Sequence, residues 1–238
     1  MKNSQTYLLV HGAWHGAWCW EYVATALQAK GQNVLTPDLP GRDLDPQYFH
    51  TISLQDYVNS LIEVIQQQTQ PVTLVGHSMA GLIISVVAEA IPEAIRELVY
   101  VAAYVPQGTQ SLFSIAQSSQ SNNLTPYLMI NETEQAISLN LCYDLISIFF
   151  NRCNLTDMQK AMARIKSEPL KPLTESINVG TNFSRIAKRS LVSRYDQVLL
   201  PIDQLRMSKA VTDNIVYLDA DHAAYYSGAK QIIEFLLV

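Results

Sequence analysis

Short runs of consecutive apolar residues alternate along this chain with longer stretches in which apolar residues recur every three or four positions. The short runs are Thr6–Val10, Asn33–Thr36, Val72–Val75, Glu97–Ala102, Ser190–Ser193 and Asn214–Leu218. Most are continuously apolar rather than alternating, as in strands covered on both faces. The clearest helical stretch is 53–67, where Leu54, Tyr57, Val58, Leu61, Ile62 and Ile65 are spaced 3, 1, 3, 1 and 3 apart. That spacing gathers them on one face, and Ser53 with Asp56 resembles a capping box at its start. Ala17–Ala29, Met79–Ala90, Pro201–Lys209 and Tyr225–Leu237 read as further helices. Strands alternating with helices predict an α/β fold: a mostly parallel sheet of about six strands, right-handed crossovers, and helices on both faces.

One segment breaks the alternation. From Pro106 to Ser184 the pattern is helix-like but irregular, with the polar stretch "QSSQSNNLTP" and the apolar patches "SLFSIA" and "LCYDLISIFF". Set between two strands, it is expected to form a helical cap over the C-terminal edge of the sheet, where open α/β sheets bind ligands. A plain extra helical layer is the alternative. The chain then divides into a core, 1–105 and 185–238, and a cap insertion, 106–184. Leu112, Phe113, Ile148, Phe149 and Phe150 give the cap more apolar surface than a solvent-facing layer needs. Some of them are expected to line a substrate pocket, Phe113 and Phe149 foremost, unless all five pack within the cap.

Composition narrows the class. A chain of 238 residues that is 48% hydrophobic accommodates a substantial core. The formal charge of -5, from 16 basic and 21 acidic residues without a basic run, argues against nucleic acid as a partner. The N-terminal "MKNSQTYLLVHGAW" holds too short an apolar run for a signal-peptide core. The longest apolar stretch, "LIISVVAEAI", is broken by Glu89 and is far too short to span a membrane. Cys19, Cys142 and Cys153 are odd in number and lack metal-ligand spacing, so they read as reduced thiols. A soluble cytoplasmic protein is expected, with a homodimer left open.

The candidate chemistry centres on "LVGHSMAG", residues 74–81. Ser78 falls between a strand and a helix, where a tight turn would lift its hydroxyl clear of the sheet edge. Gly76 and Ala80 keep the turn small, although the strict G-x-S-x-G pattern has glycine at the last place. The bland alternative is a helix N-cap serine. A serine hydroxyl needs a base, a group that orients the base, and donors for the oxyanion. Of the five histidines, His222 in "LDADHAAYY" follows the last strand at the same edge and suits the base. His77 adjoins Ser78 but should project away from it, and His50 reads as a surface residue. His11 and His15 lie in "HGAWHGAW", where Gly12 permits close backbone approach. That loop better suits the oxyanion hole, with the Ala13 and Met79 amides as donors and the two histidines bonding within the loop. Asp196, in "VSRYDQ", follows the penultimate strand and is the favoured acid, with Asp203, Asp219 and Asp221 as competitors. Ser78, Asp196 and His222 then stand in the order Ser…Asp…His.

Three segments together carry a family resemblance: "LLVHGAWHGAWCW", "VTLVGHSMAGLIISVVAEAIPEAIRELVYVAAYVP" and "LDADHAAYYSGAKQIIEFL". They resemble the α/β-hydrolase superfamily, in the branch of small esterases similar to plant methylesterases and hydroxynitrile lyases. The resemblance is strong in the core and weak in the cap. It implies Ser78 as nucleophile, His222 as base, Asp196 as acid, and Ala13 and Met79 as oxyanion donors. The family often has Cys-Thr-x-Asp before the acid, where this chain has "SRYD". Lyase members typically carry Thr at the position of Gly12, read here as part of the substrate site, and Lys where this chain has Ala223. The expected function is therefore hydrolysis of a small, largely apolar ester through an acyl-enzyme, with neither metal nor organic cofactor. A lyase-like reaction on a specialised metabolite and a non-hydrolytic ligand receptor are the alternatives on the same fold.

Overall fold

In the computed structural model, which describes residues 4–120 and 123–238, six strands form one parallel sheet. They are β1 (Thr6–Val10), β2 (Asn33–Leu35), β3 (Val72–His77), β4 (Ile95–Val101), β5 (Ala187–Ser193) and β6 (Ile215–Leu218). Met1–Asn3 of the N-terminal run, and Ser121 and Asn122 of the polar stretch "QSSQSNNLTP", lie outside the described residues. The order across the sheet is β6-β5-β4-β3-β1-β2. The continuous apolar runs occupy the middle: every residue of β3 is buried, as are Tyr7–Val10 of β1 and Leu98–Val101 of β4. Strands buried on both faces have no solvent side to be polar on.

The helices are α1 (Glu21–Ala29), α2 (Leu54–Gln66), α3 (Ala80–Ala90), α4 (Pro201–Lys209) and, near the C-terminus, α5 (Ala229–Leu236). The chain steps from β1 to β2 in one direction and returns past β1 to β3 in the other. With right-handed crossovers, α1 and α2 must then lie on opposite faces. Consistently, α1 packs against α5, and α2 against α3. The Ser53–Asp56 capping box is present in both its halves. The expected helix at Ala17–Ala29 starts as a 3-10 turn, Ala17–Trp20, before α1. The one expected at Tyr225–Leu237 is divided into a turn at Ala224–Ser227 and α5, with the break at Gly228, whose φ of -111° and ψ of 9° leave the helical region.

Between β4 and β5 the structure is mixed. It holds helices at Leu112–Gln117, Tyr143–Phe149 and Leu155–Met162, and shorter ones at Lys171–Thr174 and Thr181–Arg185. It also holds a three-stranded antiparallel sheet of Leu128–Asn131, Ala136–Leu139 and Glu168–Pro169, which the hydrophobic pattern did not indicate. Those strands have two to four residues each, too few for a period to show. Among the described residues, no helix is long and apolar enough to cross a membrane.

The register aligns the strand ends. Val10 sits beside Gly76, His77 beside Val101, Val101 beside Leu191, and Ser193 beside Leu218. The segments that follow β1, β3, β4, β5 and β6 therefore emerge together at one edge.

Candidate active site

Ser78 is the first residue past β3, and its φ is +54°. A non-glycine residue there is costly, of order 1–3 kcal/mol, and persists only when its surroundings enforce it. The surroundings are visible. The Ser78 amide donates to the Val101 carbonyl at 3.3 Å, and the Ser78 carbonyl accepts from Gly81 and Tyr104, both at 3.1 Å. α3 begins at Ala80, so its N-terminal dipole points at the turn. A Cβ at Gly81 would collide with the Tyr104 carbonyl oxygen, so glycine there lets α3 close against the chain leaving β4.

Three side chains from three strand ends form one hydrogen-bonded line. Asp196 Oδ2 accepts from His222 Nδ1 at 2.7 Å. With that nitrogen protonated, His222 Nε2 is bare and accepts from Ser78 Oγ at 3.1 Å. Asp196 is fully buried, His222 is 2% exposed and Ser78 8% exposed. The Asp196 carboxylate is saturated: Oδ1 accepts from the amides of Val198 and Leu199, and Oδ2 also accepts from Gln204 Nε2 at 2.8 Å. Gln204 was missed by sequence reading. Its one signal is a polar residue in α4 at a position that proves buried.

The competing carboxylates are engaged elsewhere. Asp203 accepts from the Gln120 amide and from Arg206, and Asp219 pairs with Arg194 at an exposed site. Asp221 is buried, accepting from the Arg152 amide at 2.6 Å and from Ser227 Oγ at 2.7 Å. Burial raises the Asp221 carboxyl above its usual range, against the lowering effect of those hydrogen bonds.

The other histidines are structural in their contacts. His77 Nε2 donates to the His222 carbonyl at 2.8 Å, which holds the loop carrying His222. His11 Nδ1 donates to the Gly12 carbonyl and His11 Nε2 accepts from the Leu39 amide. His15 Nδ1 donates to the Ala13 carbonyl at 2.8 Å. Burial lowers His11 from 6.5 to about 3, lowers His15 to about 4, and holds His77 well below 6.5. All three are neutral near pH 7. His50 is exposed and donates to the Gln47 carbonyl within its own turn.

Gly12 backs directly onto Ser78: a Cβ there would stand 2.9 Å from Ser78 Cβ. Ala13 and Met79 are both buried, and neither amide hydrogen-bonds to another described residue. Buried amides are rarely left alone without cause. Phe149 closes over the site, its ring meeting the His222 ring edge-to-face at 5.2 Å and stacking on His15 at 6.2 Å. Its carbonyl accepts from the Ala223 amide at 3.3 Å, tying this end of the segment to the His222 loop. Phe113 is half-buried against the core and makes no ring contact with His222. Leu112, Phe150 and, less completely, Ile148 are likewise packed against the core.

The model of the alpha/beta hydrolase family matches residues 7–235. A carbendazim hydrolyzing esterase from Nocardioides sp. (strain SG-4G) is 39% identical over 114 residues, 46% of each chain. Methylesterase 7 of Arabidopsis thaliana is 25% identical over 252 residues, covering 99% of this chain and 96% of that one. A pyrethroid hydrolase structure from Sphingobium faniae JZ-2 superposes with a TM-score of 0.87 at 20% identity, over 99% of this chain and 96% of that one. At that identity, the superposition speaks for the fold.

Proposed function

The chain belongs to the alpha/beta hydrolase family, and from that premise we propose that it is a serine esterase acting on a small, largely apolar carboxylic ester. The observation that carries this is the line Asp196–His222–Ser78, at 2.7 and 3.1 Å, with the hydroxyl held on a strained turn. Ser78 attacks the ester carbonyl while His222 takes its proton. Asp196 fixes the tautomer of His222 and stabilises the imidazolium. The alcohol leaves with the proton from His222, and water then releases the acid from the acyl-enzyme. The unpaired Ala13 and Met79 amides suit the role of oxyanion donors.

The names of the relatives, a methylesterase and a hydrolyzing esterase, support ester hydrolysis. Methyl esters are the first substrates to test. Residues 106–184 act as the cap in this reading, on a core of 1–105 and 185–238. Phe149, and with it Phe113, would shape the pocket, and Gly12 would let the substrate-binding loop lie directly against the nucleophile. The free state of Cys19, Cys142 and Cys153 favours a reducing compartment, and we assign the protein to the cytoplasm. The lyase alternative lacks its cation: Ala223 follows His222, and no lysine or arginine side chain hydrogen-bonds Ser78 or His222 among the described residues.

The test is a panel of methyl, aryl and short acyl esters, with an aromatic cyanohydrin alongside, given to the purified protein. Turnover of at least one ester, lost in Ser78→Ala, is expected, with cyanide release at background. Ligand binding without turnover across the panel would favour a receptor. Cyanide release dependent on Ser78 would favour a lyase.

A further inference from the structure

The loop that carries Ala13 is held from the far side by one buried carboxylate. Trp14 has a φ of +63°, which a bulky residue does not adopt unaided. Its amide donates to Glu168 Oε2 at 2.8 Å, its carbonyl accepts from the Lys166 amide at 3.0 Å, and its indole donates to the Ile137 carbonyl at 3.0 Å. Glu168 is fully buried. Oε2 also accepts from Arg42 at 2.7 Å, and Oε1 accepts from Tyr57 Oη at 2.6 Å. Arg42 in turn donates to the His15 carbonyl at 3.1 Å and to the Ser167 carbonyl at 2.9 Å.

These bonds fix two consecutive peptide planes. The Ala13–Trp14 peptide is gripped at its N–H by Glu168 and at its C=O by His15 Nδ1. The Gly12–Ala13 peptide is gripped at its C=O by His11 Nδ1. In a planar trans peptide the N–H points opposite to the C=O, so the one group of this turn left to aim is the Ala13 N–H. A buried Arg–Glu pair adds little to stability over a well-packed apolar replacement, because desolvation offsets its attraction. Its four bonds to the loop and its neighbours give it another use.

We propose that Glu168 is a positioning residue that aims the Ala13 amide at the oxyanion, acting through the Trp14 amide with Arg42 as its counter-charge. This rests on the serine-esterase reading. It makes the inserted segment part of the catalytic apparatus as well as a cover for it, because Glu168 lies in the strand paired with Ala136–Leu139.

The experiment measures kcat, KM and inhibition by an aryl trifluoromethyl ketone. Ser78 Oγ adds to the ketone carbon, the Ser78 proton passes to His222, and the ketone oxygen becomes an anion in the oxyanion hole. Glu168→Asp keeps the charge and withdraws it from Trp14. It should lower kcat on the order of 10²-fold, since a misplacement near 1 Å costs about that much. The inhibition constant should rise by a similar factor, with KM nearly unchanged. Glu168→Gln keeps the shape and should behave likewise. Glu97→Gln, which breaks the ion pair with Arg189 near the start of β4, should lower stability and leave all three constants alone. Should neither Glu168 variant fold, Arg42→Lys, which loosens the second anchor at the His15 carbonyl, should lower kcat and raise the inhibition constant together, with KM nearly unchanged.

Any folded Glu168 variant with parental kcat and inhibition constant overturns the proposal. So does a loss confined to KM. If the parent protein neither turns over esters nor binds the ketone at Ser78, the underlying reading fails instead.

Discussion

Five aspartates lie in the segments that follow β5 and β6, and one of them meets the His222 ring. Asp196 reaches Nδ1, whereas Asp221, the immediate neighbour of His222, turns the other way to hold the Arg152 amide and Ser227. Asp196→Asn should lower kcat by about 10⁴, or roughly 5 kcal/mol of transition-state stabilisation, in a protein that stays folded. Asp221→Asn should cost far less kcat and instead lower stability, since its bonds join the turn after Phe149 to the His222 loop. Steady-state kinetics with one ester and a melting curve on each variant decide between them, and the reverse ranking would move the acid. Asp196 was legible because a strand-end carboxylate 26 residues before a strand-end histidine has the length of a helix and a strand between them. Gln204, His77 and Glu168 were not. Their roles come from partners 8, 145 and 154 positions away, and nothing local marks those pairings.

At the scale of elements, the turn from β3 into α3 is the most demanding piece of backbone. It combines a positive φ at Ser78 with a helix pressed against the Tyr104 carbonyl. Gly81→Ala would drive a methyl into that carbonyl. It should cost about 1–3 kcal/mol, the range for overpacking a tight interior, and a chemical denaturation midpoint would show it. A variant as stable as the parent would mean that α3 does not lie as described. The core strands were legible from their apolar runs, but β5 begins three residues before its expected start at Ser190. Lys188 and Arg189 hide that start. Both are paid in partners: Lys188 Nζ donates to the carbonyls of Phe183 and Ile186, and Arg189 pairs with Glu97 at 2.8 Å. The hairpin Leu128–Asn131 to Ala136–Leu139 escaped notice because "NETEQ" carries no glycine. Asn131 makes the turn by accepting from the Thr133 and Glu134 amides, and Gln135 takes a φ of +51°.

For the molecule as a whole, the parallel sheet gathers five strand ends at one edge, and the site is assembled there from buried, neutral imidazoles. That has a consequence in acid. His11, His15 and His77 have folded-state pKa values below the ordinary 6.5, so below about pH 6.5 the unfolded chain binds protons that the folded one refuses, down to about pH 4 for His15 and about pH 3 for His11. Stability is then fully present above pH 6.5 and falls as pH falls, by about 1.4 kcal/mol per pH unit for each histidine. Urea denaturation at pH 7, 6 and 5 should show stability falling as the pH falls, and a flat profile would contradict the burial of these rings. The central claim, however, is covalent catalysis at Ser78, and one measurement meets it directly. The protein is treated with a fluorophosphonate and followed by intact mass and peptide mapping. A single adduct per chain, on Ser78, is predicted, with none in Ser78→Ala and much slower labelling in His222→Gln. A protein left unmodified, or one modified elsewhere with Ser78 free, would contradict the account.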